Sequence, residues 1–166
     1  MTEFNFTLKY RVPDVYDDTD ILEQRLAASG CDDALLGIGR PGRMALAFCR
    51  EASRADQALQ SALEDVQQAV PGAELVEVSP DLVGLTDVAD LLGMSRQNMR
   101  QLMLAHPQSF PSPVHEGSTS IWHLADILGW LQARGSGKVS SELAELAAVA
   151  LQLNLAREGR RLQPKA

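Results

Sequence analysis

The sequence predicts an α+β fold in which a small domain of mixed strands and helices precedes a mainly helical one. Three observations predict it. Phe4 to Val12 alternates apolar and polar residues without a miss; segments of strand and helix character then take turns up to Pro80; and beyond Asp81 strand alternation gives way to apolar residues at helical intervals. A chain of 166 residues, 45% hydrophobic and 22% charged, is long enough to bury one good core or two small ones, which rules out disorder and collagen-like repetition.

The first segment puts every large side chain on one face of a half-buried strand. After Pro13 and the acidic Asp14, Asp17 and Asp18, the pair Asp20 and Glu23 has capping-box spacing, and Ile21 to Ser29 reads as a short helix stopped by Gly30. Ala34 to Ile38 and Arg43 to Arg50, joined through Gly39-Arg40-Pro41-Gly42, form a hairpin in which Met44, Leu46 and Phe48 alternate with smaller residues. Ser53 with Asp56 opens a second helix bearing Leu59, Ala62, Leu63, Val66 and Val70 on one stripe, and Pro71-Gly72 ends it. Ala73 to Val78 is a fourth strand. The order β-α-β-β-α-β is the split βαβ plan, so residues 1–79 are expected to be a ferredoxin-like domain.

Pro80 marks the boundary. Two short helical stripes follow, separated by Gly93-Met94-Ser95; then comes a proline- and glycine-rich stretch, a wing strand over Ser118 to Trp122, and a helix from Leu124 to Gln132. Residues 80–134 are thus expected to be a winged helix-turn-helix. Residues 135–139, around Gly135-Ser136-Gly137, read as a flexible linker, residues 140–158 as a helix capped by Ser140 or Ser141, and residues 159–166 as a basic tail.

The net charge of −7 argues against a non-specific nucleic-acid coat. The acid is unevenly placed: residues 1–80 carry 7 basic and 14 acidic side chains, residues 81–134 carry 3 and 5, and residues 135–166 carry 5 and 3. No apolar run reaches membrane-spanning length and the N-terminal residues do not read as a secretory signal, so a cytoplasmic location is expected, with no membrane partner. Cys31 and Cys49 read as packed thiols.

In the stretch from Leu85 to Leu102, Val88, Ala89 and Leu92 bury a first helix, Gly93 takes the turn, and Ser95 caps a second helix anchored by Met99 and Leu102. Arg96, Gln97, Asn98, Arg100 and Gln101 then point outward, and these are side chains that read base edges: arginine pairs with guanine, asparagine and glutamine with adenine. With Phe110-Pro111-Ser112-Pro113-Val114 leading into the wing, Gly117 at its turn, and Trp122, Asp126-Ile127 and Trp130-Leu131 beyond, residues 82–133 resemble the winged helix-turn-helix of excisionase and AlpA-like phage regulators, related to MerR-type DNA-binding domains. The N-terminal domain resembles no family in particular.

The resemblance implies a double-stranded DNA reader with Ser95 to Gln101 in the major groove and the wing, His115 to Ser120, approaching phosphates. Its DNA-binding residues would be Ser95, Arg96, Gln97, Asn98, Arg100, Gln101, His115, Ser118 and Thr119. Such wings usually carry arginines; this one carries none, leaving wing anchoring weak or to His115 and His123. A seam of Leu143, Leu146, Ala150 and Leu153 on the last helix is expected to make homodimers, with intrachain packing as its rival, and Arg157, Arg160, Arg161 and Lys165 to be a solvated basic end.

The function expected is a sequence-specific transcriptional regulator, bacterial or phage-derived. The alternatives are a protein-binding adaptor or antagonist, antitoxin-like or a phage accessory factor, whose acidic front domain docks on a basic partner, and a small-molecule sensor with an apolar pocket between sheet and helices. No nucleophile-base pair stands out, so neither an enzyme nor a cofactor is expected. Gly37-Ile38-Gly39-Arg40-Pro41-Gly42 matches a dinucleotide fingerprint literally but precedes a strand rather than a helix. His106, His115 and His123 lack zinc-ligand spacing, and Asp14 to Asp20 lacks the glycine and closing glutamate of a calcium loop, so no metal is expected.

Overall fold

In the computed structural model, which describes residues 1–164, strand β1 (Thr2–Arg11) buries Phe4, Phe6, Leu8 and Tyr10 and turns Glu3, Asn5 and Lys9 outward. Helix α1 (Thr19–Ala28), β2 (Ala34–Gly37), β3 (Arg43–Ala52), α2 (Ala55–Ala69) and β4 (Glu74–Ser79) follow. The four strands form one antiparallel sheet in the order β2-β3-β1-β4. Phe6 stands opposite Phe48 with ring centroids 5.3 Å apart, and Leu8 lies between Leu46 and Val78. Onto this layer α2 lays the small residues Ala55, Ala58 and Ala62 beside Leu59 and Val66, all fully buried, so the space between sheet and helix is filled by side chains.

Two helix starts differ from expectation. Asp18, not Asp20, caps α1: its carboxylate accepts from the Asp20 amide at 3.0 Å because Asp18 still has extended backbone, which moves the helix start forward to Thr19. Ser53 does not cap α2, because the chain stays extended through Arg54 after β3 has paired Ala52 with Thr2.

Arg50 at the end of β3 is 8% exposed. Its guanidinium donates to both carboxylate oxygens of Asp33 (2.8 and 3.0 Å), to Asp65 (2.9 Å), to the Ser61 hydroxyl (3.1 Å) and to the Gly30 carbonyl (2.7 Å). Those bonds match the five N–H donors that arginine possesses. Gly30 has φ +88°, and a Cβ there would come within 3.0 Å of Asp65, so the chain can reach Arg50 here only as glycine.

The chain divides into two compact units, residues 1–79 with the segment from Gln152 onward, and residues 80–151. The long helix α6 (Ser141–Leu162) contributes to both. In the first unit its Asn154 side chain accepts from the Val78 amide and donates to the Val78 carbonyl, both at 2.8 Å, and Arg157 donates to the Leu75 carbonyl at 2.6 Å. Among the described residues the outer edge of β4 is thereby hydrogen-bonded by side chains rather than by another strand.

In the second unit the two-residue strands β5 (Leu82–Val83) and β6 (Trp122–His123) pair antiparallel and frame α3 (Leu85–Leu92), α4 (Arg96–Ala105) and α5 (Leu124–Ala133). Val88, Ala89, Leu92 and Met99 are buried as their spacing required, and Leu102 is partly buried on the same cluster. Phe110 packs edge-on against Trp122 and Trp130, at 6.0 and 5.0 Å.

Residues 135–139, expected as a flexible linker, close the end of α5 instead. Gly135 at φ +77° lets its own amide reach the Gln132 carbonyl (2.9 Å) and the Ser136 amide reach Leu131 (3.0 Å), a helix-ending Schellman turn. Val139 packs on the core and Ser140 caps α6 through the Leu143 amide at 3.1 Å. Among the described residues no helix is long and apolar enough to cross a membrane.

Candidate nucleic-acid interface

Helix α3 starts at Gly84, whose amide donates to the Asp87 carboxylate at 2.9 Å, and ends at Gly93 with φ +66°, a left-handed conformation that glycine adopts without Cβ strain. That turn delivers Ser95 in extended backbone. The Ser95 hydroxyl accepts from the Asn98 amide at 3.1 Å and so fixes the start of α4. With Met99 fully buried beneath it, the helix leaves Arg96, Gln97, Asn98, Arg100 and Gln101 exposed.

Arg96 and Arg100 are one turn apart and therefore share a face. They line a concave groove of about 560 Å³ together with Gly84 to Asp87, Met103, Pro113, Glu116, Ser118, Thr119, Ser120 and Trp122. The segment expected as a wing is a short loop held by backbone pairing of His115 with Ile121: the Ile121 amide donates to His115 (3.0 Å), and the Val114 amide to Ile121 (2.7 Å). Gly117 sits beneath the His115 ring, where a Cβ would stand 2.7 Å from Nε2.

The structure thus brings Arg96, Arg100, Ser118 and Thr119 to one groove, while Gln97, Asn98 and Gln101 are exposed on α4 outside it. His115 is exposed but does not line the groove; Glu116, within the expected wing but not among its expected DNA-binding residues, does. His123 is not at the wing surface. Its Nδ1 lies 2.7 Å from the carboxylate of Asp81, a residue only 1% exposed, because pairing of β6 with β5 turns the ring inward. With that nitrogen engaged by Asp81, His123 does not serve as the phosphate anchor expected of it.

Charge in the groove is balanced, two arginines against Asp87 and Glu116. The arginines differ in being unpaired: among the described residues neither Arg96 nor Arg100 makes a hydrogen bond or ion pair. An unpaired guanidinium beside hydroxyls in a groove is able to take a phosphate or the acceptor edge of a base.

The seam expected for self-association is covered within one chain. Leu146 and Ala150 are 3% and 0% exposed, Leu143 packs on the core of the second unit, and Leu153 is half-buried, so an isolated chain leaves little of this face to a partner. Of the expected basic end, Arg157 is committed to Leu75 and Glu158, and Arg161 to Glu158, whose carboxyl is held below the ordinary range first by Arg161 and then by Arg157. Lys165 lies outside the described residues. Among the described residues no group of His, Cys, Asp and Glu is placed to hold a metal ion.

Comparison of the chain with family models, with curated proteins and with solved structures finds no match.

Proposed function

We propose that residues 80–134 work as a winged helix-turn-helix that reads double-stranded DNA, joined to a ferredoxin-like domain, in a sequence-specific transcriptional regulator. The observation that carries this reading is the juxtaposition of Arg96 and Arg100: adjacent on one helix face, without an ion-pair partner among the described residues, and lining one groove with the hydroxyl-bearing Ser118 and Thr119. Ser95 fixes the start of the reading helix; Gln97, Asn98 and Gln101 supply the amides that recognise adenine, and the arginines take guanine or phosphate. The ferredoxin-like assignment draws its support from the strand order β2-β3-β1-β4 and from the alternation of helices with those strands.

Balanced charge in the groove and a wing without arginine mean that few counterions are released on binding. The affinity is expected to come from the reading helix, with a shallow salt dependence. Selection of bound duplexes from a random library by the full chain tests the reading. Recovery of a shared sequence motif supports it. Retention of no duplex at low salt, with a stoichiometric basic protein co-purifying instead, replaces it with an adaptor that docks through the acidic N-terminal domain.

A further inference from the structure

The two edges of the four-stranded sheet are finished differently. On β4, Asn154 holds both the amide and the carbonyl of Val78 at 2.8 Å, and Arg157 holds the Leu75 carbonyl. On β2, at the other edge, among the described residues no strand pairs beyond it. Its sequence is Ala34-Leu35-Leu36-Gly37, without charge or proline, and Leu35 is 78% exposed and Ile38 just beyond it 45% exposed. Sheets ordinarily protect an edge with lysine, proline, a bulge or a cover, as β4 is covered here; a bare apolar edge is a template for another strand.

The direction of the free backbone groups follows from the pairing with β3. The Asp33 carbonyl accepts from the Cys49 amide at 3.0 Å, so Asp33, Leu35 and Gly37 turn their groups toward β3 and Ala34 and Leu36 turn theirs outward. The Ala34 amide is already bonded to the Cys31 carbonyl at 3.2 Å. The free groups on the strand are then the Leu36 amide and carbonyl and the Ala34 carbonyl, and the same alternation continued one residue past the strand adds the amide and carbonyl of Ile38.

We propose that this edge pairs antiparallel with the same edge of a second copy of the chain, about a two-fold axis at Leu36. In that register Leu36 exchanges both of its bonds with Leu36 of the second copy, and each Ile38 amide meets an Ala34 carbonyl, which pairs every outward group except the Ile38 carbonyl. The two Leu35 side chains fall diagonally on one face, within reach of each other. The flanks agree in charge. Asp32 precedes the strand and Arg40 follows it, so antiparallel pairing brings each acidic end to a basic one. Asp33 adds no repulsion, because Arg50 already holds it. The proposal does not rest on DNA binding, and it takes over the self-association that the covered face of α6 does not offer.

Sedimentation of the full chain over rising concentration tests it. A four-residue ladder is a small interface, so dimerisation at on the order of tens of micromolar is expected, with a mass of about twice the 18.0 kDa chain. Leu35→Lys alters a side chain already in solvent, so folding is retained and dimerisation weakens at least about tenfold. Asp32→Arg and Arg40→Asp each weaken it severalfold, and the two together restore it to within about twofold. Hydrogen exchange of the unsubstituted chain gives an independent reading: the Leu36 amide becomes protected as concentration rises. A monomer at every concentration, or a dimer indifferent to Leu35→Lys and to the charge reversals, overturns the proposal.

Discussion

Arg50 in the first unit and Arg96 with Arg100 in the second are the same side chain in opposite conditions. Arg50 is 8% exposed and every N–H of its guanidinium donates within the chain, to two carboxylates, a hydroxyl and a carbonyl. Arg96 and Arg100 are exposed and, among the described residues, bond to nothing. A guanidinium whose donors are satisfied holds the end of β3 to the loop before β2 and to α2; one whose donors face solvent has them available to a ligand under the function proposed above. The difference lies in the neighbourhood that the fold supplies: Arg50 continues the inward row of Met44, Leu46 and Phe48 on β3, whereas Arg96 and Arg100 lie on the exposed face of α4.

The largest effect that sharpens this contrast is on stability. Arg50→Ala leaves Asp33 and Asp65 facing each other without their cation and is expected to lower unfolding free energy by about 3 kcal/mol, since both carboxylates keep some contact with water. Arg96→Ala and Arg100→Ala are expected to stay within about 0.5 kcal/mol of the parent chain in the same urea titration. Equal losses at all three positions would break the comparison. Next in size, Asn154→Ala strips partners from the Val78 amide and carbonyl and is expected to cost about 2 kcal/mol by the same measurement.

These positions also mark how far the sequence could be read. The alternation in β1, the helix ends at Gly30 and Gly93 and the Ser95 cap are local patterns, and each is found close to where the pattern put it. Asn154 and Arg157 act on β4 across 76 and 82 residues of chain, and no local period announces such a partner. Strand β5 is two residues long, too short to show alternation. Gly135-Ser136-Gly137 has the composition of a linker and the geometry of a helix stop, because a left-handed glycine serves both. The candidate groove was legible on its helical side. On its other side the inward turn of His123 depends on the β5 pairing and the place of Glu116 on the loop closed by His115 and Ile121, and neither is a local pattern.

Smaller effects come from the interior of the first unit. Cys31 is buried, and burial first, then Asp65, pushes its thiol up to about 11, whereas Cys49 is exposed. The folded chain therefore keeps the Cys31 proton at pH values where the unfolded chain releases it. Stability is expected to fall as pH rises from about 9 toward 11, and Cys31→Ala to flatten that slope. Thiol labelling at pH 8 should modify Cys49 alone until the chain unfolds. The smallest expected change is at Tyr10, whose buried hydroxyl has no hydrogen-bond partner among the described residues; Tyr10→Phe should leave stability unchanged or raise it by up to about 1 kcal/mol in thermal unfolding.

The contrast between committed and free arginines is tested most directly by the salt dependence of binding to the selected duplex, compared between the parent chain and an Arg96→Ala/Arg100→Ala variant. The account expects the variant to fold as well as the parent, to bind more weakly, and to show a plot of log affinity against log salt shallower by up to about two units. An unchanged slope together with unchanged affinity would contradict it.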